Sequence, residues 1–195
     1  MSQNATFGGW TDWTFAPDAE SKKIFEQTLG NLKGVKYRLV ASATQVVSGM
    51  NYAFLCEART ITAEPLAYIV VANVYVSTTG ETNTTIKRQQ PLPTNMPGGW
   101  QNWNFAVTGS AEEAFNQAVG NRSSLTTYFA KADASQVVSG VNYCFLCEVQ
   151  TTTNPISISA AMVYVNQPAG STAHWVETSY IDQTGREGQF TDLIK

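Results

Sequence analysis

The chain says the same thing twice. Gly8-Gly9-Trp10-Thr11-Asp12-Trp13-Thr14-Phe15 returns as Gly98-Gly99-Trp100-Gln101-Asn102-Trp103-Asn104-Phe105, a shift of 90 positions. Gln45-Val46-Val47-Ser48-Gly49 returns as Gln136-Val137-Val138-Ser139-Gly140, a shift of 91. A shift this constant, with one inserted residue, marks duplication of a whole folding unit, because solenoid repeats have periods of only a few tens of residues. The 195 residues therefore divide into two similar domains, 1–90 and 97–195, joined by residues 91–96. Pro91 and Pro93, with Pro97 just beyond, favour an extended, stiff spacer there.

Periodicity sets the elements of each unit. Trp13 and Phe15, like Trp103 and Phe105, alternate with polar residues as on a short strand with one apolar face. A helix follows. After Pro17-Asp18, the stretch Ser21 to Leu29 places Ile24, Phe25 and Leu29 at helical spacing, and Gly30-Asn31 predicts a left-handed stop. In the second unit Ser110 and Glu113 form a capping-box pattern ahead of Ala114, Phe115, Ala118 and Val119, and Gly120-Asn121 closes the helix.

Every later apolar run is rich in Val, Ile, Tyr, Phe and Thr and reads as strand. The expected strands are Val35 to Val47, Met50 to Ile61, Leu66 to Val76 and Thr84 to Gln90. Their counterparts are Leu125 to Val138, Val141 to Thr151, Ile156 to Val165 and Ala173 to Ile181. Neither helix can bury its face alone, so the expected fold is α+β, each unit one helix packed across an antiparallel sheet of four to five strands. Asp182 to Lys195 has no counterpart in the first unit and is expected to be loosely held.

Composition narrows the function classes. The net charge is −3 and the Lys and Arg residues are scattered, so no basic stripe is available for nucleic acid. No run approaches the ~18 apolar residues of a membrane span, and Met1-Ser2-Gln3-Asn4 is too polar to open a secretory signal. Three cysteines cannot all pair within one chain, which points to reduced thiols and a cytoplasmic setting, with secretion the alternative if a leader has been removed. Cys144 and Cys147 form a CxxC, but on a strand these positions point to opposite faces, which argues against redox or zinc chemistry.

A catalytic site needs convergent acid, base or nucleophile groups, and one histidine, His174, with scattered carboxylates supplies no such set. There is no phosphate loop, nucleotide fingerprint or metal-spaced cluster. No catalytic residue, metal or cofactor is expected, and His174 reads as a solvated strand residue. The repeated tip is the better candidate. Val46-Val47 and Val137-Val138 lie where a hairpin must turn, and strict alternation places one valine of each pair on an outward face.

These residues resemble a known family. Gln-Val-Val-Ser-Gly followed by a variable residue and Asn-Tyr is similar to the first-hairpin motif of the cystatins, QVVAG with x-N-Y after it. Gly-Gly ahead of a strand and helix resembles the glycine of the cystatin N-terminal trunk. The likeness covers nearly all of both units and implies two tandem cystatin-like domains. In that family trunk, first hairpin and second hairpin form a wedge that plugs the cleft of papain-like cysteine peptidases without being cleaved.

Carried over, the resemblance implies peptidase contacts at Gln45, Val46, Val47, Ser48 and Gly49, and at Gln136, Val137, Val138, Ser139 and Gly140. The trunk contacts would be Phe7, Gly8 and Gly9 in the first unit and Met96, Gly98 and Gly99 in the second. The second hairpin departs from the pattern. Where the family has Pro-Trp, Tyr75-Val76 leads into Ser77-Thr78-Thr79-Gly80, and Tyr164-Val165 into Asn166-Gln167-Pro168-Ala169. Trp175 comes too late to fill the place.

Burying both valines of a tip contributes roughly 3–6 kcal/mol. Nanomolar binding needs about 12 kcal/mol net, after an association cost of about 4–15. A tip without a Trp anchor therefore implies weaker affinity than the full wedge. The first unit, whose trunk is not tied to a linker, is expected to be the better head. The competing reading is a non-inhibitory protein-binding module on the same fold, since fold does not determine function. Two near-identical hairpins also allow exchange, so the chain is expected as a monomer or a hairpin-exchanged dimer.

Overall fold

The computed structural model describes residues 8–119, 125–152 and 154–189. Among them the fold is α+β, with two helices and two antiparallel sheets of four and five strands. The chain divides into two units, Met1–Gln90 with Gln183–Gly185, and Pro91–Asp182 with Arg186–Lys195.

In the first unit α1 (Ala19–Thr28) precedes β1 (Val35–Val47), β2 (Gly49–Thr60), β3 (Ala67–Val76) and β4 (Thr82–Arg88), which pair in sequence order. The Asp18 carboxylate accepts the Ser21 N–H at 2.7 Å. That side-chain cap satisfies a donor the helix leaves open and starts it two residues ahead of Ser21. Ser21, Phe25 and Leu29 form the buried stripe, with Ile24 at its margin. Phe25 meets Phe54 of β2 edge to face, ring centroids 5.7 Å apart.

The helix does not end on a left-handed Gly30. The N–H groups of Leu29 and Gly30 both donate to the Phe25 carbonyl, at 2.8 and 3.3 Å, and the positive-φ residue comes later, at Gly34. A Cβ at position 30 would lie 2.6 Å from the Glu26 carbonyl oxygen, so close backbone approach selects this glycine.

The second unit holds α2 (Ser110–Val119), β5 (Thr126–Val138), β6 (Gly140–Thr151), β7 (Ser157–Pro168), β8 (His174–Ile181) and the short β9 (Glu187–Gly188). Phe115 of α2 packs on Phe145 of β6 at 5.0 Å, the counterpart of the Phe25–Phe54 contact. The expected capping box is not made. The Glu113 N–H bonds the Gly109 carbonyl at 3.0 Å, and among the described residues no hydrogen bond engages the Ser110 hydroxyl, so the boundary falls one residue earlier. Gly120-Asn121 lies outside the described residues. Part of the closing segment is held: Glu187 and Gly188 pair with Ile181 and Tyr180.

The bounds of the expected main strands fall within three residues of the expectation, while the short strand expected around Trp13 and Trp103 is present only as isolated bridges and β9 is additional. β4 begins at Thr82 because Thr82 and Asn83 pair with Val76 and Tyr75, and β7 runs on to Pro168 because Asn166, Gln167 and Pro168 continue the ladder opposite Asn142, Val141 and Gly140. The central strands are also more deeply enclosed than a two-layer unit requires. Tyr52 to Cys56, Ala67 to Ala72, Tyr143 to Val149 and Ala160 to Val163 are buried without interruption, hence on both faces. Such strands lose polar alternation and read as continuous apolar runs, as Ile69-Val70-Val71-Ala72 does.

The proline stretch is anchored to the second unit. Pro91 and Pro93 are buried, and the Pro91 carbonyl accepts the Trp103 indole N–H at 3.0 Å.

Candidate functional site

In each unit the trunk runs antiparallel beside the strand that leads to the hairpin tip. Bridges join Trp10 to Gln45 and Thr14 to Ser42, and likewise Trp100 to Gln136 and Asn104 to Asp133. The trunk glycine is left-handed, φ 83° at Gly8 and 75° at Gly98, a conformation that costs a residue with a Cβ energy.

The tip glutamine ties these parts together. The Gln45 amide donates to the Gly8 carbonyl at 2.8 Å while its own oxygen accepts from Asn51 at 2.7 Å. Gln136 does the same between the Gly98 carbonyl, at 2.9 Å, and Asn142, at 3.0 Å. The Gln and Asn of the repeated motif thus work as internal struts joining trunk, β1 or β5, and β2 or β6.

The turns are tight. Val47 pairs with Gly49, and Val138 with Gly140, leaving one residue at each apex, Ser48 or Ser139. Gly49 and Gly140 have φ of 127° and 135°. A Cβ at either would overlap a carbonyl oxygen of the neighbouring strand, that of Val76 or Gln167. Positive φ and close approach together demand glycine at both positions.

The two tips differ in cover. Val137 is 62% exposed and Val138 46%, whereas Val46 and Val47 are half-buried. Tyr75, opposite Asn51, donates its hydroxyl to the Ser48 carbonyl at 2.7 Å and lies against Gly49. The second unit has Asn166 at that register position, and it bonds Asn142 instead, at 2.7 Å.

Of the other candidate residues, Met96 is 71% exposed beside the second trunk, and Gly99 donates its N–H to the Met96 carbonyl at 2.9 Å. Gly9 is half-buried, and Phe7 lies outside the described residues.

The second hairpins are polar. The first unit closes its loop through Ser77, which receives the Gly80 N–H at its carbonyl and the Glu81 N–H at its hydroxyl, at 3.0 and 2.9 Å. In the second unit the Ser171 N–H bonds the Pro168 carbonyl at 3.0 Å. Trp175 is not offered at this edge, because it packs edge to face on Tyr128, 5.2 Å away. Trp100 leans on Tyr164 of β7, ring centroids 6.3 Å apart.

The remaining reactive groups are enclosed or dispersed. Cys56, Cys144 and Cys147 are free and fully buried, and burial pushes all three thiols well above their ordinary range. Buried thiols held neutral are poor nucleophiles and poor ligands. His174 stands exposed on β8. Among the described residues no group of three His, Cys, Asp or Glu side chains is placed to hold a metal ion, and no helix is long and apolar enough to cross a membrane.

No family model, curated protein or solved structure matches the chain.

Proposed function

We propose that this chain inhibits papain-like cysteine peptidases reversibly, each unit being a cystatin-like domain that offers its trunk and first hairpin as one edge to the active-site cleft. The observation that carries the reading is the glutamine strut. Gln45 and Gln136 bind the trunk carbonyl of Gly8 and Gly98, so trunk and valine tip are held side by side before any partner arrives. Preorganisation of this kind lowers the ordering cost of association. The exposed pair Val137 and Val138 supplies apolar surface for burial, worth roughly 3–6 kcal/mol.

One observation favours the second reading, a non-inhibitory protein-binding module. The second hairpins hydrogen-bond internally, and among the described residues the aromatic that they bring to a tip is Tyr75, whose hydroxyl is taken up by the Ser48 carbonyl, while Trp175 packs on Tyr128. Titration of papain or a cathepsin with the whole chain separates the two. Inhibition at micromolar concentration is expected, reduced in part by V46D with V47D, in part by V137D with V138D, and abolished by all four. Wild-type protein that leaves peptidase activity unchanged at that concentration would remove the inhibitor reading in favour of the module.

A further inference from the structure

Trp100, Asn142, Tyr164, Val176 and Glu177 help to wall a cleft of about 170 Å³ in the second unit. That volume suits a single side chain, since sites for drug-sized ligands run to about 300–1,000 Å³. The Trp100 and Tyr164 rings meet at 76° and form an aromatic corner. Glu177 lies directly across the ladder from Tyr164, on the same face of the sheet. Among the described residues no hydrogen bond or ion pair engages the Glu177 carboxylate.

The corner is electronegative in two ways. Aromatic faces carry the negative end of the ring quadrupole. The Glu177 carboxylate, exposed on β8 opposite Tyr164, adds a full negative charge. The first unit lacks this chemistry, because Asn73 opposite Thr85 stands where the second has Tyr164 opposite Glu177.

We propose that this cleft is a binding site for a guanidinium group, the side chain of an arginine presented by a partner protein. A guanidinium is planar and weakly hydrated, stacks on an aromatic face, and bonds a carboxylate through its fork of N–H donors, so one group satisfies both walls. An ammonium fits less well, being compact and strongly hydrated. The chain's net charge of −3 favours approach of a cationic segment. The inference does not rest on the peptidase reading: the cleft shares Trp100 and Asn142 with the trunk and its strut, but neither valine tip lines it.

The test uses the full chain and N-acetyl-arginine amide, with the neutral isostere N-acetyl-citrulline amide as control. The indole resonances are followed in a ¹⁵N–¹H spectrum, with Trp100→Phe used to assign the Trp100 signal. Saturable movement of that resonance is expected at millimolar arginine amide, with citrulline amide about tenfold weaker and the Trp10 resonance unmoved. Glu177→Gln should weaken arginine amide about five- to tenfold, and Glu177→Asp, which keeps the charge, by less. Both substitutions are at an exposed position, and an unchanged melting temperature confirms that they fold. The proposal is overturned by absence of saturable movement, by equal binding of citrulline amide, or by a folded Glu177→Gln that binds as wild type does.

Discussion

Asp133 shows how one residue makes two duplicated seams behave differently. Where the trunk crosses β1 in the first unit the partners are Thr14 and Ser42, and in the second they are Asn104 and Asp133. Asp133 is 7% exposed, and burial pushes its carboxyl up to about 6, partly offset by a hydrogen bond from the Asn104 amide. The folded value lies above the unfolded one, so the folded state binds the extra proton. Its contribution is complete below pH ~4 and is lost as pH rises through ~6. Unfolding in denaturant should therefore show about 1–3 kcal/mol less stability from this group at pH 7 than at pH 4.5. Asp133→Ser, which installs the first unit's residue, should flatten that part of the profile, and an unchanged slope would mean that Asp133 is not its source. Gln45 and Gln136 carry a related lesson. Their repetition is plain in the sequence, but only the fold reveals them as struts between trunk and strand.

At the scale of elements, the helix starts separate pattern from mechanism. Both helices run for 10 residues, yet one is capped by a side chain and the other is not. Asp18→Ala should cost about 1 kcal/mol, because it removes the acceptor of the Ser21 N–H. Ser110→Ala should stay within about 0.5 kcal/mol, because its hydroxyl serves no cap. Equal losses in chemical denaturation would show that Ser110 caps α2 after all. The strands were largely legible: valine, isoleucine and aromatic runs placed them to within three residues, as at β7. The extension of β7 to Pro168 was not legible. It depends on Gly140 letting the neighbouring strand come close, which no local propensity records.

At the scale of the whole molecule the cysteines report on enclosure. All three are fully buried and held as neutral thiols. Thiol titration with Ellman's reagent should find no fast-reacting group in the native chain and three in denaturant. A fast native group would mean that its sheet opens without global unfolding.

The repeat, the helix count, the approximate strand positions and the glycine tips could all be read from residues alone, because each depends on local spacing and backbone preference. The different cover over the two tips could not, nor could the aromatic corner beside Glu177. Those depend on which side chains meet across a sheet. Identical motifs, Gln45 to Gly49 and Gln136 to Gly140, acquire different surroundings because the neighbouring strand carries Tyr75 to the Ser48 carbonyl in one unit, whereas in the other it carries Asn166, which bonds Asn142 and not the tip.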